Sequence, residues 1–209
     1  EQLDNKLQIY WGDGTGSFSS SNRTTISIGR SGGPGAVGDF DNDGDHDIVW
    51  GLQDSGTLKY VTNNGNRSFS VGSSYESGGP RNLELADVDQ DGNLDLFIYR
   101  RFGSCVALKK GNGNGTFGSS TCVTNDRYGY DVADIDGDGD IEMITSQGGT
   151  LYLNQLNSNG AIISQSSMGV AGGSPRFYDI NGDDAPDLFS VNNGELIQYI
   201  NDGTGNFSE

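Results

Sequence analysis

Histidine occurs once, at His46, cysteine twice and proline four times, and no apolar run approaches the roughly 20 residues that a membrane-crossing helix needs. Each scarcity closes a class of function. There is no second histidine, no nucleophile motif and no phosphate-cradling loop ahead of a helix, which leaves no constellation for acid–base or nucleophilic catalysis. Without clustered cysteines or paired histidines, zinc and copper have no natural ligand set. Basic residues are also few, 12 against 29 acidic, and the net charge of −17 repels nucleic acid and anionic membrane surfaces. The expectation is a protein that is not an enzyme, binds no nucleic acid and does not insert into membranes. Cations are its natural partner.

What is abundant is glycine, 34 residues, in a chain that is only 33% hydrophobic. That balance favours many short strands and turns over long helices. The apolar residues come in tight runs such as Asp47-Ile48-Val49-Trp50 and Asp95-Leu96-Phe97-Ile98-Tyr99, too short for helices and rich in β-branched and aromatic side chains. The chain opens at Glu1 without Met or a signal peptide, so a processed mature protein and a piece of a longer one are both open.

Aligning the sequence with itself exposes its organisation. Four acidic segments begin at Asp39, Asp87, Asp134 and Asp179, spaced 48, 47 and 45 residues apart, and they hold eighteen of the acids. A hairpin element recurs between them: IYWGDGTGSF from Ile9, YVTNNGNRSF from Tyr60, LKKGNGNGTF from Leu108, a degenerate LNQLNSNGAI from Leu153, and YINDGTGNF from Tyr199. Gly-Gly-Pro or a variant precedes three of the acidic segments, at Gly32, Gly78 and Gly172. Each unit reads as a strand, an acidic loop, a second strand, a third strand and a glycine-rich hairpin into a fourth. Four strands in about 45–50 residues is the size of one β-propeller blade. The fold expected is therefore all-β, a β-propeller of four-stranded blades. It holds about four to four and a half repeats: a half repeat 1–31, repeats 32–77, 78–125 and 126–171, and a partial repeat 172–209.

The combination of D-x-D-x-D-G-x-x-D, an apolar strand and an N-x-G-x-G-x-F hairpin resembles the FG-GAP and VCBS repeat family, which builds integrin α-chain propellers, certain fungal lectins and many secreted microbial surface proteins. The resemblance covers nearly the whole chain. It implies a calcium-stabilised propeller used for adhesion or for binding carbohydrate or protein, although some polysaccharide lyases carry similar loops.

The acidic loops explain the metal on their own chemistry. Carboxylates at positions one, three and five of a tight turn converge on one point, a glycine at position six permits the bend, position seven offers a backbone carbonyl and the acid at position nine closes the shell. Oxygen donors of this number suit calcium better than magnesium. The candidate ligands are Asp39, Asp41, Asp43, Asp45 and Asp47; Asp87, Asp89, Asp91, Asn93 and Asp95; Asp134, Asp136, Asp138, Asp140 and Glu142; and Asp179, Asn181, Asp183, Ala185 and Asp187. The fourth set departs from the pattern, with Asn181 in place of a carboxylate and Asp184 in place of glycine. About four calcium ions are expected, in a structural role, with the fourth site weakest.

Cys105 and Cys122 flank one predicted hairpin, where cross-strand distances suit a disulfide, expected here over the alternative of two free buried thiols. Asn22, Asn66, Asn114 and Asn206 begin glycosylation acceptor patterns, and the bland alternative is that asparagine is simply a turn former. Tyr10, Tyr60, Tyr152 and Tyr199 recur on the third strand, where packing between blades is expected and a sugar-stacking face is the alternative. The functional expectation is a secreted or cell-surface binding module for glycans or extracellular proteins. The competing readings are a building block of a surface filament or matrix within a longer array, and a polysaccharide lyase fragment. Because the first half-unit supplies strands three and four and the last supplies strands one to three, head-to-tail sharing of blades is preferred over a closed four-bladed monomer.

Overall fold

A computed structural model describes residues 5–29, 32–52, 55–76, 78–100, 105–125 and 129–209. The expected repeat boundaries at 31, 77 and 126 fall outside these. Among the described residues every regular element is a strand. The fold is a β-propeller of four four-stranded antiparallel blades, each with sequential strand order, preceded by a two-stranded half-blade.

The chain divides into two compact units, the first comprising Glu1–Leu83, Ile98–Gly103 and Asn112–Thr116, the second Glu84–Phe97, Ser104–Gly111 and Phe117–Glu209. In the first unit β1 (Lys6–Gly12) and β2 (Phe18–Ser27) form the half-blade. The first complete blade follows as β3 (Gly35–Gly38), β4 (Asp47–Leu52), β5 (Thr57–Asn63) and β6 (Phe69–Glu76). Burial along β4 is nearly continuous, so this strand is covered on both faces, and its run DIVWGL is correspondingly almost free of polar side chains after the leading acid. Leu7, Ile26 and Ile28 of the half-blade pack with Ile48, Leu52 and Val61 into one apolar cluster. The Gly-Gly-Pro element has a steric reason: a Cβ at Gly35 would lie 2.6 Å from the Trp50 indole, and one at Gly32 would lie closer still.

The second blade consists of β7 (Pro80–Ala86), β8 (Asp95–Arg100), β9 (Val106–Gly111) and β10 (Phe117–Thr124). Two further blades lie in the second unit. One is β11 (Tyr130–Ala133), β12 (Glu142–Gln147), β13 (Thr150–Leu156) and β14 (Ile162–Ala171). The other is β15 (Gly173–Tyr178), β16 (Asp187–Asn192), β17 (Glu195–Asn201) and β18 (Phe207–Ser208). Ile144, Leu151, Leu188 and Tyr199 form the apolar cluster joining them, with Phe177 stacked on Phe207 at 6.3 Å.

One expectation needs correction. The last blade has a fourth strand, because the two residues Phe207 and Ser208 pair with Asn201 and Ile200, so the count of three was short by β18. The four tyrosines lie on third strands as expected, Tyr10 on the half-blade's β1, Tyr60 on β5, Tyr152 on β13 and Tyr199 on β17, but not at one register position. Counted back from the hairpin, Tyr60 aligns with Ile9 and Leu108, whereas Tyr10 and Tyr199 align with Val61, one residue later. Since successive strand residues point to opposite faces, Tyr60 and Tyr199 are buried in different surroundings while Tyr10 is 42% exposed.

Candidate metal centres

All four acidic loops are built the same way from the backbone up. The carboxylate at position one accepts the amide at position six: Gly44 to Asp39 at 3.0 Å, Gly92 to Asp87 at 2.8 Å, Gly139 to Asp134 at 3.0 Å and Asp184 to Asp179 at 3.0 Å. The side chain at position five accepts the amide at position seven, as Asp45 to Asp43 at 2.9 Å and Asn93 to Asp91 at 2.8 Å, with Asp140 to Asp138 at 2.8 Å and Ala185 to Asp183 at 3.0 Å. These bonds bend the chain tightly, and position six is left-handed in every copy, with φ of +93°, +85° and +90° at the three glycines and +69° at Asp184. The sequence pattern therefore encodes the turn before any ion is considered.

The acid at position nine has a second occupation that the pattern did not reveal. Asp47, Asp95 and Asp187 are fully buried and Glu142 is 5% exposed. One oxygen of each accepts the amide at position two, from Phe40, Val88, Ile135 and Ile180 at 3.1–3.3 Å. In three loops the other oxygen accepts an amide at the end of the third strand, from Asn63 at 2.7 Å, Gly111 at 2.8 Å and Asn201 at 2.9 Å. In the third loop the matching amide, of Leu156, bonds the Ile141 carbonyl instead. Asp47 also accepts the Tyr60 hydroxyl at 2.5 Å. This acid is thus a staple between loop and sheet as well as a candidate ligand.

Three of the loops bring three carboxylates together, with ligand oxygens within 4.8 Å of one another: Asp39, Asp41 and Asp43; Asp87, Asp89 and Asp95; and Asp134, Asp136 and Glu142. Asp45, Asp47, Asp91, Asp138 and Asp140 belong to the same loops but not to these groups of three. In the fourth loop Asp179, Asn181, Asp183, Ala185 and Asp187 keep the turn, but no such cluster forms among the described residues. There the Asn181 amide group is turned onto Asp183 at 2.8 Å.

The clusters fit a hard divalent cation on one specific observation. Asp41 Oδ1 and Asp89 Oδ1 are buried oxygens with no hydrogen-bond partner in the protein. A carboxylate oxygen withdrawn from water and left unpartnered is costly unless a cation meets it. Burial raises the Asp41 pKa, and the charges of Asp47, Asp43 and Asp39 raise it further. Glu142 is pushed up to about 7, first by burial and then by Asp136, Asp138 and Asp134, against the Ile135 amide that favours its charged form. Burial likewise raises Asp95, against the Gly111 and Val88 amides and Lys110. Lys110, on β9, reaches into the second cluster, with Nζ 2.6 Å from Asp89 Oδ2 and 3.8 Å from Asp95 Oδ2.

Asparagines read from the sequence as turn formers also hold the loops. Asn63 Nδ2 donates to the His46 carbonyl at 3.1 Å, and Asn201 Nδ2 donates to the carbonyls of Ile135 at 2.7 Å and Pro186 at 3.1 Å. Their Oδ1 atoms accept hairpin amides, Gly65 to Asn63 and Gly203 to Asn201, each at 3.1 Å. The signal was present in the sequence as an asparagine at one register position of two hairpins. Asn66, Asn114 and Asn206 are exposed on hairpins as expected, whereas the Asn22 side chain is engaged by Trp11 O at 2.9 Å and by Arg67 at 2.7 Å.

The disulfide expectation is corrected. Cys105 and Cys122 are separate thiols. The β9–β10 register sets Cys122 opposite Ala107 and Thr124 opposite Val106, so Cys105 lies beyond the position that Cys122 faces.

A cavity of about 430 Å³ opens in the first unit, lined mainly by apolar groups including Ile9, Trp11, Ile48, Trp50 and Phe69, with Gln8, His46 and Asn63 as its polar groups. Trp11 stacks on Phe69 with centroids 6.4 Å apart, and the Arg67 guanidinium lies 4.8 Å from the Trp11 ring.

Comparison with known proteins adds three findings. The FG-GAP-like repeat family model matches residues 2–50 and 39–98, while no curated protein matches the sequence. The solved structure of an Agrocybe aegerita lectin, described for its specific recognition of non-reducing terminal N-acetylglucosamine, superposes with a TM-score of 0.70 at 20% identity, covering 98% of this chain and 60% of the lectin. A chain from the crystal structure of BBS1N in complex with ARL6DN, soaked with lead, superposes with a TM-score of 0.50 at 15% identity, covering 80% and 55%. This chain therefore spans less than two thirds of either neighbour, and at these identities the likeness is one of fold.

Proposed function

We propose that this β-propeller, whose residues 2–98 match the FG-GAP-like repeat model, is an extracellular, calcium-stabilised and non-catalytic module that binds carbohydrate. The observation that carries the calcium reading is the pair of buried, unpartnered oxygens on Asp41 and Asp89, at the same position of two repeats and inside carboxylate clusters. Asp39, Asp41 and Asp43 would hold the ion in the first loop, Asp87, Asp89 and Asp95 in the second, and Asp134, Asp136 and Glu142 in the third. A bound cation neutralises acids that otherwise repel one another and orders a loop with little apolar anchorage of its own. Asp179, Asn181, Asp183 and Asp187 form the weakest site.

The carbohydrate reading is supported by the aromatic cavity, whose volume suits one or two sugar rings and whose few polar groups can fix their orientation. The lectin neighbour points the same way. A glycan array with calcium, run on wild type and on Trp11→Ala, tests it: calcium-dependent hits lost in the variant support the cavity, and hits that survive the substitution reject it. A second reading, a building block of a longer array, is favoured by β1, which pairs only with β2 among the described strands and leaves its other edge open. Concentration-dependent assembly in solution would be its mark.

A further inference from the structure

Two of the cation clusters are open to an incoming ion, and the remaining one already has a cation of its own. At the third-strand position one residue before the hairpin, the complete blades carry Thr62, Lys110, Gln155 and Ile200. Only the second is charged. Its ammonium lies 2.6 Å from Asp89 Oδ2 and 3.8 Å from Asp95 Oδ2, two of the three acids of that cluster. The same ammonium donates to the Ser158 carbonyl at 2.5 Å, in the hairpin that follows β13. From these contacts we infer that Lys110 is a tethered cation that competes with calcium for the second loop, so that this loop is loaded only when calcium displaces the lysine and releases its bond to Ser158. The inference rests on the calcium reading proposed above.

The argument is one of shared ligands. Calcium needs six to eight oxygen donors at 2.3–2.6 Å, and an ammonium in contact with Asp89 and near Asp95 both withholds two donors and adds a like charge at the cluster's edge. Displacing it breaks one charge-assisted hydrogen bond to a carboxylate and one to a carbonyl, which weakens calcium binding by about ten- to hundredfold. The second loop then differs from the first and third in kind. Those are saturated at low calcium and serve stability, whereas the second responds over a higher range and passes the change to the hairpin around Ser158. Asp89 Oδ1, which the lysine leaves without a partner, is the foothold for the incoming ion.

The test is calcium titration followed by native mass spectrometry on the whole chain, for wild type, Lys110→Gln and Lys110→Gln combined with Asp89→Ala. The lysine substitution copies the side chain that the third complete blade carries at the equivalent position, Gln155. Lys110→Gln is expected to gain one ion at a calcium concentration about ten- to hundredfold below that at which wild type gains it, and Asp89→Ala is expected to remove that same ion. Equal occupancy in wild type and Lys110→Gln, with ions in loops one and three intact, overturns this inference alone. No calcium at any loop in any variant overturns both it and the calcium reading. If Lys110→Gln fails to fold, acetylation mapping on wild type decides: Lys110 should be protected at low calcium and become reactive as the last ion loads. Protection that does not change up to saturation overturns the proposal.

Discussion

Replacing Asp187 by alanine separates the two occupations that a position-nine acid can have. Asp187 is fully buried, and its oxygens accept the Ile180 amide at 3.1 Å and the Asn201 amide at 2.9 Å. The alanine leaves the buried Asn201 amide and the part-buried Ile180 amide unpaired. At about 1–3 kcal/mol for each orphaned donor, eased in part by water entering the gap, the loss is roughly 2–5 kcal/mol. That is a large share of the about 5–15 kcal/mol that holds a domain together, and for a chain of this length it lowers the melting point by roughly 4–20 °C. Asp187→Asn keeps one acceptor and is expected to cost about half as much. Asp183→Ala, exposed in the same loop, is the control and should stay within about 1 kcal/mol. Calorimetry in calcium and in chelator is the assay. Because the fourth loop is the weakest site and has no three-carboxylate cluster among the described residues, most of the loss should remain in chelator. A loss that disappears in chelator would mean that Asp187 acts through a cation, and equal losses for Asp187→Ala and Asp183→Ala would refute the reasoning from burial.

Four further outcomes are expected. Asp41→Asn should raise the melting point in chelator, by relieving a buried and mutually repelling carboxylate, and reduce the rise that calcium produces; metal counting should find one ion fewer. In chelator, folded Glu142 holds its proton up to about pH 7 while the unfolded chain releases it near the ordinary 4.5, so the folded state binds more protons between these limits and stability falls as pH rises through them. Melting curves from pH 5 to 8 should differ between wild type and Glu142→Gln by an amount on the order of 3 kcal/mol across that window, and parallel curves would contradict the raised pKa. Gly115→Ala adds a Cβ 2.6 Å from the Tyr60 ring at a residue with φ of +73° and should cost about 1–3 kcal/mol in a thermal melt. Asp184→Gly relieves a left-handed φ of +69° and should stabilise by about 0.5–1 kcal/mol while tightening calcium binding to the fourth loop.

The blade pattern was legible because each element has a local cause: the acids at positions one and five fold their own turn, and the glycine-rich hairpins punctuate the strands. The staple at position nine was not, since the acid looks the same in sequence whether its oxygens face an ion or two backbone amides. Only the third-strand register, which pairs Asp47 with Asn63 sixteen residues away, distinguishes the two. The disulfide failed because flanking a hairpin is not the same as facing across it: Cys122 pairs with Ala107, two residues along from Cys105. Lys110 gave no signal by itself, because a lysine on a strand of mixed exposure is ordinary until Asp89 is brought beside it.

The bonds that leave each repeat bear on how far repeats of this kind can be exchanged. Within a repeat the acidic loop is held by bonds of its own and, in three of the four, by a staple to its own hairpin amide. The links onward are idiosyncratic: Gly115 N–H donates to the Phe40 carbonyl at 2.9 Å, Asn201 side-chain N–H donates to that of Ile135 at 2.7 Å, and Lys110 donates to that of Ser158 at 2.5 Å. A backbone amide, a side-chain amide and an ammonium do the same job at three junctions, and none can substitute for another without moving its acceptor. A tandem array with interchangeable interiors and keyed junctions can diversify its loops by recombination while its order stays fixed, because a transposed repeat would fold around its own acids and then find the wrong donor waiting next door.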